Sequence, residues 1–250
     1  MAGDEHNDAA NAHGGGRFAT TQWSLVLSAA DRASPGFQQA LAELCGTYWY
    51  PLYAFVRRQG ASAVEAEDLT QEFFLALVDK EFLAATGPEK GRFRTFLLLC
   101  LKRFLANQRD RQHAQKRGGG RTLVSINRDE AESRYQAEPA DAATPERIYE
   151  RRWALALLDQ VLARLEDEYR QARKSALFAR LKIYLVADAA AESHAAVAAD
   201  LGLSTGAVKV AVHRLRRRYG ELLRAEVART LEQPRDVKEE IQSLFAALRR

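Results

Sequence analysis

The stretch SHAAVAADLGLSTGAVKVAVHRLRRRY, residues 193–219, decides the character of this chain. Ser193 and Ser204 each precede a run with helical spacing, and serine is a preferred N-cap residue. Gly202 lies between the two runs, where a tight turn needs a residue that adopts the left-handed backbone conformation. Leu203 is expected to fill this turn with its side chain. The stretch therefore predicts a helix-turn-helix.

The second helix of this motif carries one apolar stripe, because Val208, Val212, Leu215 and Tyr219 recur at about 100° per residue. The opposite face is cationic and has few bulky side chains. It carries Gly206, Lys209, Val210, His213, Arg214, Arg216 and Arg217. Such a face fits a DNA major groove, where arginine or lysine reaches guanine edges and a small apolar side chain meets a thymine methyl. The alternative is a solvated basic helix on a bundle.

The arginines near the end of that helix have a second expected role. Arg217 and Arg218 follow the groove-facing residues and are expected to hold phosphates, which gives affinity without sequence information. His213 lies among these cations and has no second histidine at ligand spacing. It is therefore interpreted as a DNA contact rather than a metal ligand.

The other apolar runs also have helical spacing, and no alternating run rich in β-branched residues competes with them. The clearest are Leu69, Phe73 and Leu77; Leu97, Leu101 and Leu105; and Leu158, Val161 and Leu165. The short segment 122–126 is the nearest candidate for a strand, and it is flanked by charge. The chain is therefore predicted to be all-α, with two helical domains joined by a flexible linker.

Composition places the boundaries of these domains. Residues 1–17 are polar and end near a glycine run, which predicts a disordered N-terminus, and the first domain follows at 18–111. Residues 112–144 are small or charged and cannot bury enough surface to offset their conformational entropy, so they are the predicted linker. The second domain is placed at 145–232, with Thr144 as its N-cap and proline as its first helical residue.

Residues 233–250 are predicted to form a C-terminal amphipathic helix. Its apolar positions at helical spacing are Val237, Ile241, Leu244, Phe245 and Leu248. We expect this helix to pack on the second domain, and a docking surface for another protein is the alternative.

Charge is segregated along the chain, although the net charge is only +4. Acidic residues concentrate between 65 and 81, and basic residues concentrate at 92–121 and again at 209–229. Two basic surfaces indicate two contacts along one polyanion, whereas the acidic helix indicates a protein partner. A solvated face is the alternative for the acidic helix.

Several classes of protein do not fit this sequence. Cys45 and Cys100 have no metal-ligand spacing and are expected to be reduced core thiols. The N-terminal residues lack the apolar core of a signal peptide, and no apolar run reaches the ~20 residues of a membrane helix, so a cytoplasmic protein without membrane insertion is expected. No cofactor or metal is predicted, because no histidine–cysteine cluster or phosphate-binding glycine loop is present.

The order of three segments resembles a known family. They are AEDLTQEFF at 66–74, KGRFRTFLLLCLKRFLANQRDRQ at 90–112, and the helix-turn-helix with GAVKVAVHRLRRR. In this order and spacing the chain resembles bacterial sigma-70-family initiation factors. It is most similar to the extracytoplasmic-function (ECF) type, which keeps only the second and fourth conserved sigma domains.

The resemblance implies partners and site residues. The docking surface for the β′ clamp helices of core RNA polymerase would consist of Asp68, Gln71 and Glu72. The segment 92–111 would open and read the −10 element of promoter DNA, with Arg92, Arg103, Asn107 and Arg111 as contacts. The −35 element would be read by Lys209, Val210, His213, Arg214 and Arg217. An anti-sigma factor is a further candidate partner.

The sequence departs from the family pattern at four of these helical positions: Phe96, Arg103, Asn107 and Ala211 replace residues that are frequent in the family. Two other functions stay open. A stand-alone helix-turn-helix regulator would bind DNA without joining polymerase. An enzyme would use Glu65, Glu67, Asp68 and Glu72 as metal or acid–base carboxylates, although charged helix faces are common. The sequence favours a sigma factor, in which the chemistry is left to the polymerase.

Overall fold

The computed structural model describes residues 37–79, 92–114, 128–137, 144–186, 193–231 and 236–249. These residues form ten helices and no strand, apart from one isolated antiparallel bridge between Arg92 and Leu231. The helices are α1 (Phe37–Arg58), α2 (Ala63–Leu77), α3 (Phe93–Ala114), α4 (Arg128–Gln136), α5 (Pro145–Gln171), α6 (Ser175–Leu181), α7 (Ile183–Val186), α8 (His194–Leu201), α9 (Thr205–Arg229) and α10 (Val237–Arg249). The predicted all-α fold is confirmed. The predicted disordered N-terminus and the candidate strand at 122–126 lie outside the described residues.

Side-chain caps set the starts of α2 and α5. The hydroxyl of Ser62 accepts a hydrogen bond from the Glu65 amide (3.2 Å) at the start of α2. Thr144 accepts one from the Arg147 amide (3.3 Å) at the start of α5, and proline is the first helical residue, as predicted. Each cap satisfies one amide that has no partner inside its helix.

The centre of the molecule is the contact between α1 and α5. Trp153 of α5 and Tyr48 and Tyr53 of α1 are fully buried. The amide of Gln160 also donates a hydrogen bond to the Thr47 hydroxyl (2.6 Å) across this contact. Helix α1 belongs to the first predicted domain and α5 to the second. The contact between them shows that the two segments share one continuous hydrophobic core.

Helix α3 joins the same core. The Phe93 ring meets Tyr48 of α1 edge-on, with 5.2 Å between centroids, and Phe104 meets Phe73 of α2 at 5.7 Å. The hydroxyl of Tyr149 on α5 donates a hydrogen bond to the main-chain oxygen of Arg94 (2.9 Å). The basic helix is therefore held from both sides by aromatic contacts.

The predicted linker contains the helix α4, which the sequence did not reveal. Glu132 of α4 accepts hydrogen bonds from the Arg57 guanidinium (2.7 and 3.0 Å) and from the Tyr53 hydroxyl (2.6 Å). The Arg57 guanidinium stacks over the Tyr135 ring at 4.7 Å. The Arg57 hydrogen bonds lower the pKa of Glu132. These contacts dock residues 128–136 on α1, whereas 115–127 and 138–143 lie outside the described residues.

The C-terminal helix α10 packs against α5 and α9, within the second predicted domain. Leu244 is fully buried, but Phe245 leaves 42% of its surface exposed and lies outside the packed stripe. The deepest polar residue of α10 is Glu240, which has no exposed surface. Elsewhere in the core, Cys45 and Cys100 are both buried, and neither forms a disulfide.

Candidate nucleic-acid interface

The helix-turn-helix is formed by α8 and α9 with the predicted caps. The hydroxyl of Ser193 accepts from the Ala196 amide (3.2 Å), and that of Ser204 accepts from the Ala207 amide (3.1 Å). Gly202 has φ +63°, the left-handed conformation that a side chain would strain. The two helices meet at a bend of 103°, which lies within the range of this motif.

One prediction about the turn is wrong. Leu203 does not fill the turn with its side chain, which is 43% exposed. Its main-chain amide instead donates a hydrogen bond to the carbonyl of Ala198 (2.9 Å). A left-handed residue followed by such a bond closes a helix through its backbone, so no side-chain plug is needed.

The apolar stripe of α9 is buried and its cationic face is exposed, as the helical spacing predicts. Val208, Val212 and Leu215 are buried, and Tyr219 is partly buried against the core. The opposite face is exposed to solvent. It presents Lys209, Val210, His213, Arg214 and Arg217.

The arginines at the end of this face differ in what they contact. Arg218 is held by two hydrogen bonds to Glu168 of α5 (2.7 and 2.8 Å) and one to Glu221 (3.1 Å). The hydrogen bonds between Arg218 and Glu168 raise the pKa of the arginine and lower that of the carboxyl. Arg218 thus links α5 to α9 through ion pairs in which its side chain keeps 45% of its surface exposed, and the phosphate contact expected for it stays a prediction. Among the described residues, Arg217 makes one ion pair, a long and exposed one of 3.5 Å with Glu221.

Lys209 and Arg214 make no ion pair with any residue that the structure describes. They flank Val210, which is 51% exposed. Val210 and Arg214 also border a groove of about 470 Å³ between α9, the end of α5 and α6, whose walls include Tyr169 and Leu177. The free cations therefore surround one exposed apolar side chain at the N-terminal half of α9.

The four residues predicted for the second DNA contact lie on or next to α3. Arg103 and Asn107 are one helical turn apart on its exposed face. The backbone of Arg111 continues α3, but its side chain lies outside the described residues. Arg92 precedes the helix and is separated from the others, since its Nε atom lies 2.9 Å from Oε2 of Glu240.

Helix α2 places the residues predicted for polymerase docking on one side. Asp68 is exposed, and Gln71 and Glu72 are half-buried. The amide of Gln108 on α3 donates a hydrogen bond to Glu72 (2.6 Å). Glu72 and Asn107 also line one groove of about 390 Å³, together with Asp79 and Phe104. The predicted polymerase and −10 surfaces are therefore adjacent.

Sequence reasoning missed the buried ion cluster at the start of α3. The guanidinium of Arg94 donates a hydrogen bond to Oε1 of Glu240 and lies 4.3 Å from the centre of the Trp153 ring. Burial raises the pKa of Glu240, while Arg94 and Arg92 oppose that shift. The signal was present in the sequence, because Glu240 interrupts an apolar stripe, lying between Val237 and Leu244 at helical spacing. Its partners are far away in sequence and could not be read from it.

Two features of the described residues bear on other classes of protein. No group of three or more histidine, cysteine, aspartate or glutamate side chains is arranged to hold a metal ion within those residues. No single helix among them is long and apolar enough to cross a membrane, and only the bent pair α8–α9 meets the length and hydropathy limits when taken together.

Comparison with known proteins gives one result. Residues 35–233 match the family described as ECF sigma factor. No curated protein and no solved structure matches the chain. The family match spans more than three quarters of the 250 residues and includes both basic helices and the helix-turn-helix. The chain therefore belongs to the ECF sigma factor family, whose members are DNA-binding regulators that work with RNA polymerase in transcription initiation.

Proposed function

We propose that this protein binds core RNA polymerase, recognises the −35 and −10 elements of its promoters and helps to open the strands. The observation that carries the proposal is the exposed face of α9, where Lys209 and Arg214 have no partner among the described residues and flank Val210. These side chains stand on a helix whose start is capped by Ser204 and whose preceding turn is closed at Gly202. A rigid element of this kind is what base-specific contacts need.

The −35 element would be read by the N-terminal half of α9. Lys209 and Arg214 offer donors to guanine edges, and Val210 offers an apolar contact to a thymine methyl. His213 and Arg217 complete the contact surface, with Arg217 free to exchange its exposed ion pair for a phosphate. The division between base and phosphate contacts decides which substitutions change specificity.

Substitution Arg214→Ala tests this division. We expect it to weaken binding to the −35 element by about 1–3 kcal/mol and to relax the preference at one base pair. The measurement is the affinity of the polymerase holoenzyme for a panel of single-base promoter variants. Arg224→Ala is the matched control, because Arg224 is an exposed arginine further along the same helix. An equal loss on every promoter variant would assign Arg214 to a phosphate and contradict base reading.

The −10 element would be held by α3. Arg103 and Asn107 lie on the exposed face, and Arg111 would continue it in the next turn. Opened strands need cations along their backbone and pockets or stacking surfaces for unpaired bases. The groove bordered by Asn107, Phe104 and Glu72 supplies one such concave surface next to the helix.

Core polymerase would dock on α2 through Asp68, Gln71 and Glu72. The charge of this helix suits a basic partner such as the clamp helices, and the exposed Asp68 is its most accessible carboxylate. Because Gln108 of α3 donates a hydrogen bond to Glu72, a partner that docks on α2 would also change the contacts of α3. The same docking separates this function from that of a stand-alone regulator, which would not migrate with core polymerase in gel filtration. Chemistry would remain with the polymerase, in the cytoplasm.

Run-off transcription is the decisive test. Core polymerase is incubated with a template that carries the promoter of the protein's own gene, with and without the protein. We expect a discrete transcript only when the protein is present, since core polymerase alone lacks promoter specificity. A charge reversal, Asp68→Lys, should reduce both the transcript and the association with core polymerase. Equal transcription in the presence and absence of the protein would contradict the proposal.

A further inference from the structure

The C-terminal helix α10 lies beyond the part of the chain that matches the family, which ends at residue 233. It nevertheless carries a carboxylate into the interior. Glu240 is fully buried, and a buried charge is unfavourable unless other charges or donors compensate it. A buried polar group in this setting often selects one arrangement of helices over others.

Both partners of Glu240 come from the start of α3. Arg94 is almost completely buried beside it, whereas the Arg92 side chain keeps 37% of its surface exposed. The contact of Arg92 with Oε2 is an ion pair without an aligned hydrogen bond. Arg92 is thus the outer and looser member of the cluster, and it is also the first residue of the basic segment.

The main chain reinforces the same junction. The amide of Phe93 donates a hydrogen bond to the carbonyl of Thr230 (3.1 Å), and Arg92 pairs with Leu231 in an antiparallel bridge. Thr230 directly follows α9, a continuous helix of 25 residues that starts at the DNA-facing end. Such a helix is about 37 Å long at about 1.5 Å per residue. The junction therefore connects the start of α3 to a rigid rod that carries the helix-turn-helix.

We propose that α10 is an intramolecular clasp: Glu240 holds the start of α3 against the end of α9 and competes with DNA phosphate for Arg92. The clasp consists of Arg92, Arg94 and Glu240, with the bonds of Phe93 to Thr230. While its Nε faces Glu240, the Arg92 charge is largely balanced by that carboxylate and only its outer N–H groups face solvent, so a phosphate binds Arg92 more weakly until the clasp loosens. This inference rests on the proposed role of Arg92 in DNA binding.

The test compares Glu240→Gln with Glu239→Gln in the full chain. Both variants lose one negative charge from the same helix, but Glu239 is exposed and makes no contact in the clasp. The first readout is hydrogen exchange. We expect faster exchange at the Phe93 amide in Glu240→Gln alone, with unchanged protection in the middle of α1. Equal exchange at Phe93 in the two variants would overturn the clasp.

The second readout is binding to a short, fluorescein-labelled duplex of random sequence at several salt concentrations. Release of Arg92 should make the slope of log affinity against log salt steeper by about 0.9 in Glu240→Gln. Adding Arg92→Ala to that variant should restore the original slope. An unchanged slope, or a slope that does not respond to Arg92→Ala, would overturn the competition for Arg92.

A truncation after residue 235 removes the whole of α10 and replaces Glu240→Gln as the test variant if that substitution prevents folding. It should show the same steeper slope, and an unchanged slope would count against the clasp. Random-sequence DNA without polymerase does not test promoter-specific initiation. Failure of these experiments therefore leaves the run-off result intact, and failure of run-off transcription leaves the clasp intact.

Discussion

Substitution Trp153→Ala is expected to lower the free energy of unfolding by about 3–5 kcal/mol, the range for loss of a large aromatic side chain from a packed core. Trp153 is fully buried where α5 faces α1, and its ring also carries the Arg94 guanidinium at 4.3 Å. Alanine would leave a cavity and remove the surface on which that cation rests. The measurement is urea unfolding followed by circular dichroism.

The matched control is Glu166→Ala on the same helix. Glu166 is exposed, so its substitution should change stability by no more than about 0.5 kcal/mol. The shape of the transition carries further information, because α1 and α5 share one core. We expect the whole curve of Trp153→Ala to shift as a single transition. Two separate transitions, with only one of them shifted, would show that the segments before and after the linker fold independently.

Substitution Arg94→Met is expected to cost about 3–5 kcal/mol, the range for removing one partner of a buried ion pair. The cost arises because Glu240 stays buried with only the looser Arg92 beside it. The double variant Arg94→Met/Glu240→Leu should recover most of this loss, since it replaces both charges by apolar groups. A double-mutant cycle of unfolding free energies measures the coupling.

The decrease in unfolding free energy caused by Arg94→Met should also depend on pH. Burial raises the pKa of Glu240 above its ordinary value of 4.5, and Arg94 is the main charge that opposes this shift. Without Arg94 the folded chain therefore binds a proton more tightly than the unfolded chain. Stability should fall as pH rises from about 4.5 through the raised pKa of Glu240. Arg92→Met is the control for the loss of stability and should lower the free energy of unfolding by less than Arg94→Met does. An equal decrease for the two arginines would contradict the buried role of Arg94.

Local features of the fold could be predicted from the sequence because their causes are local. The caps Ser193 and Ser204 bond to amides three residues ahead, and Gly202 adopts the left-handed conformation within the turn itself. The buried stripe of α9 follows from helical periodicity alone. The exposed contact face then follows as the opposite side of the helix, with Arg214 on it.

The sequence did not show which main-chain group or distant side chain each of three segments would contact. Leu203 was expected inside the turn, but its amide bond to Ala198 closes the turn and leaves the side chain exposed. No local pattern showed that Arg218 would hydrogen-bond to Glu168, fifty residues earlier in the chain, and its expected phosphate contact stays a prediction. Composition indicated a flexible or partner-ordered linker, and it did not reveal that Glu132 would bind Arg57 on α1.

The helix-turn-helix and the all-α class were determined by the sequence itself, because capping, turn formation and amphipathic spacing act over a few residues. The family match over 35–233 agrees with that reading. Only the tertiary structure decided which cations stay exposed on the surface and which bind carboxylates in the interior. Arg94 and Glu240 are 146 residues apart, and such a pair exists only after packing has removed both groups from water. Tertiary packing, rather than the count of arginines, therefore leaves Lys209 and Arg214 open and ties Arg92 to the C-terminal helix.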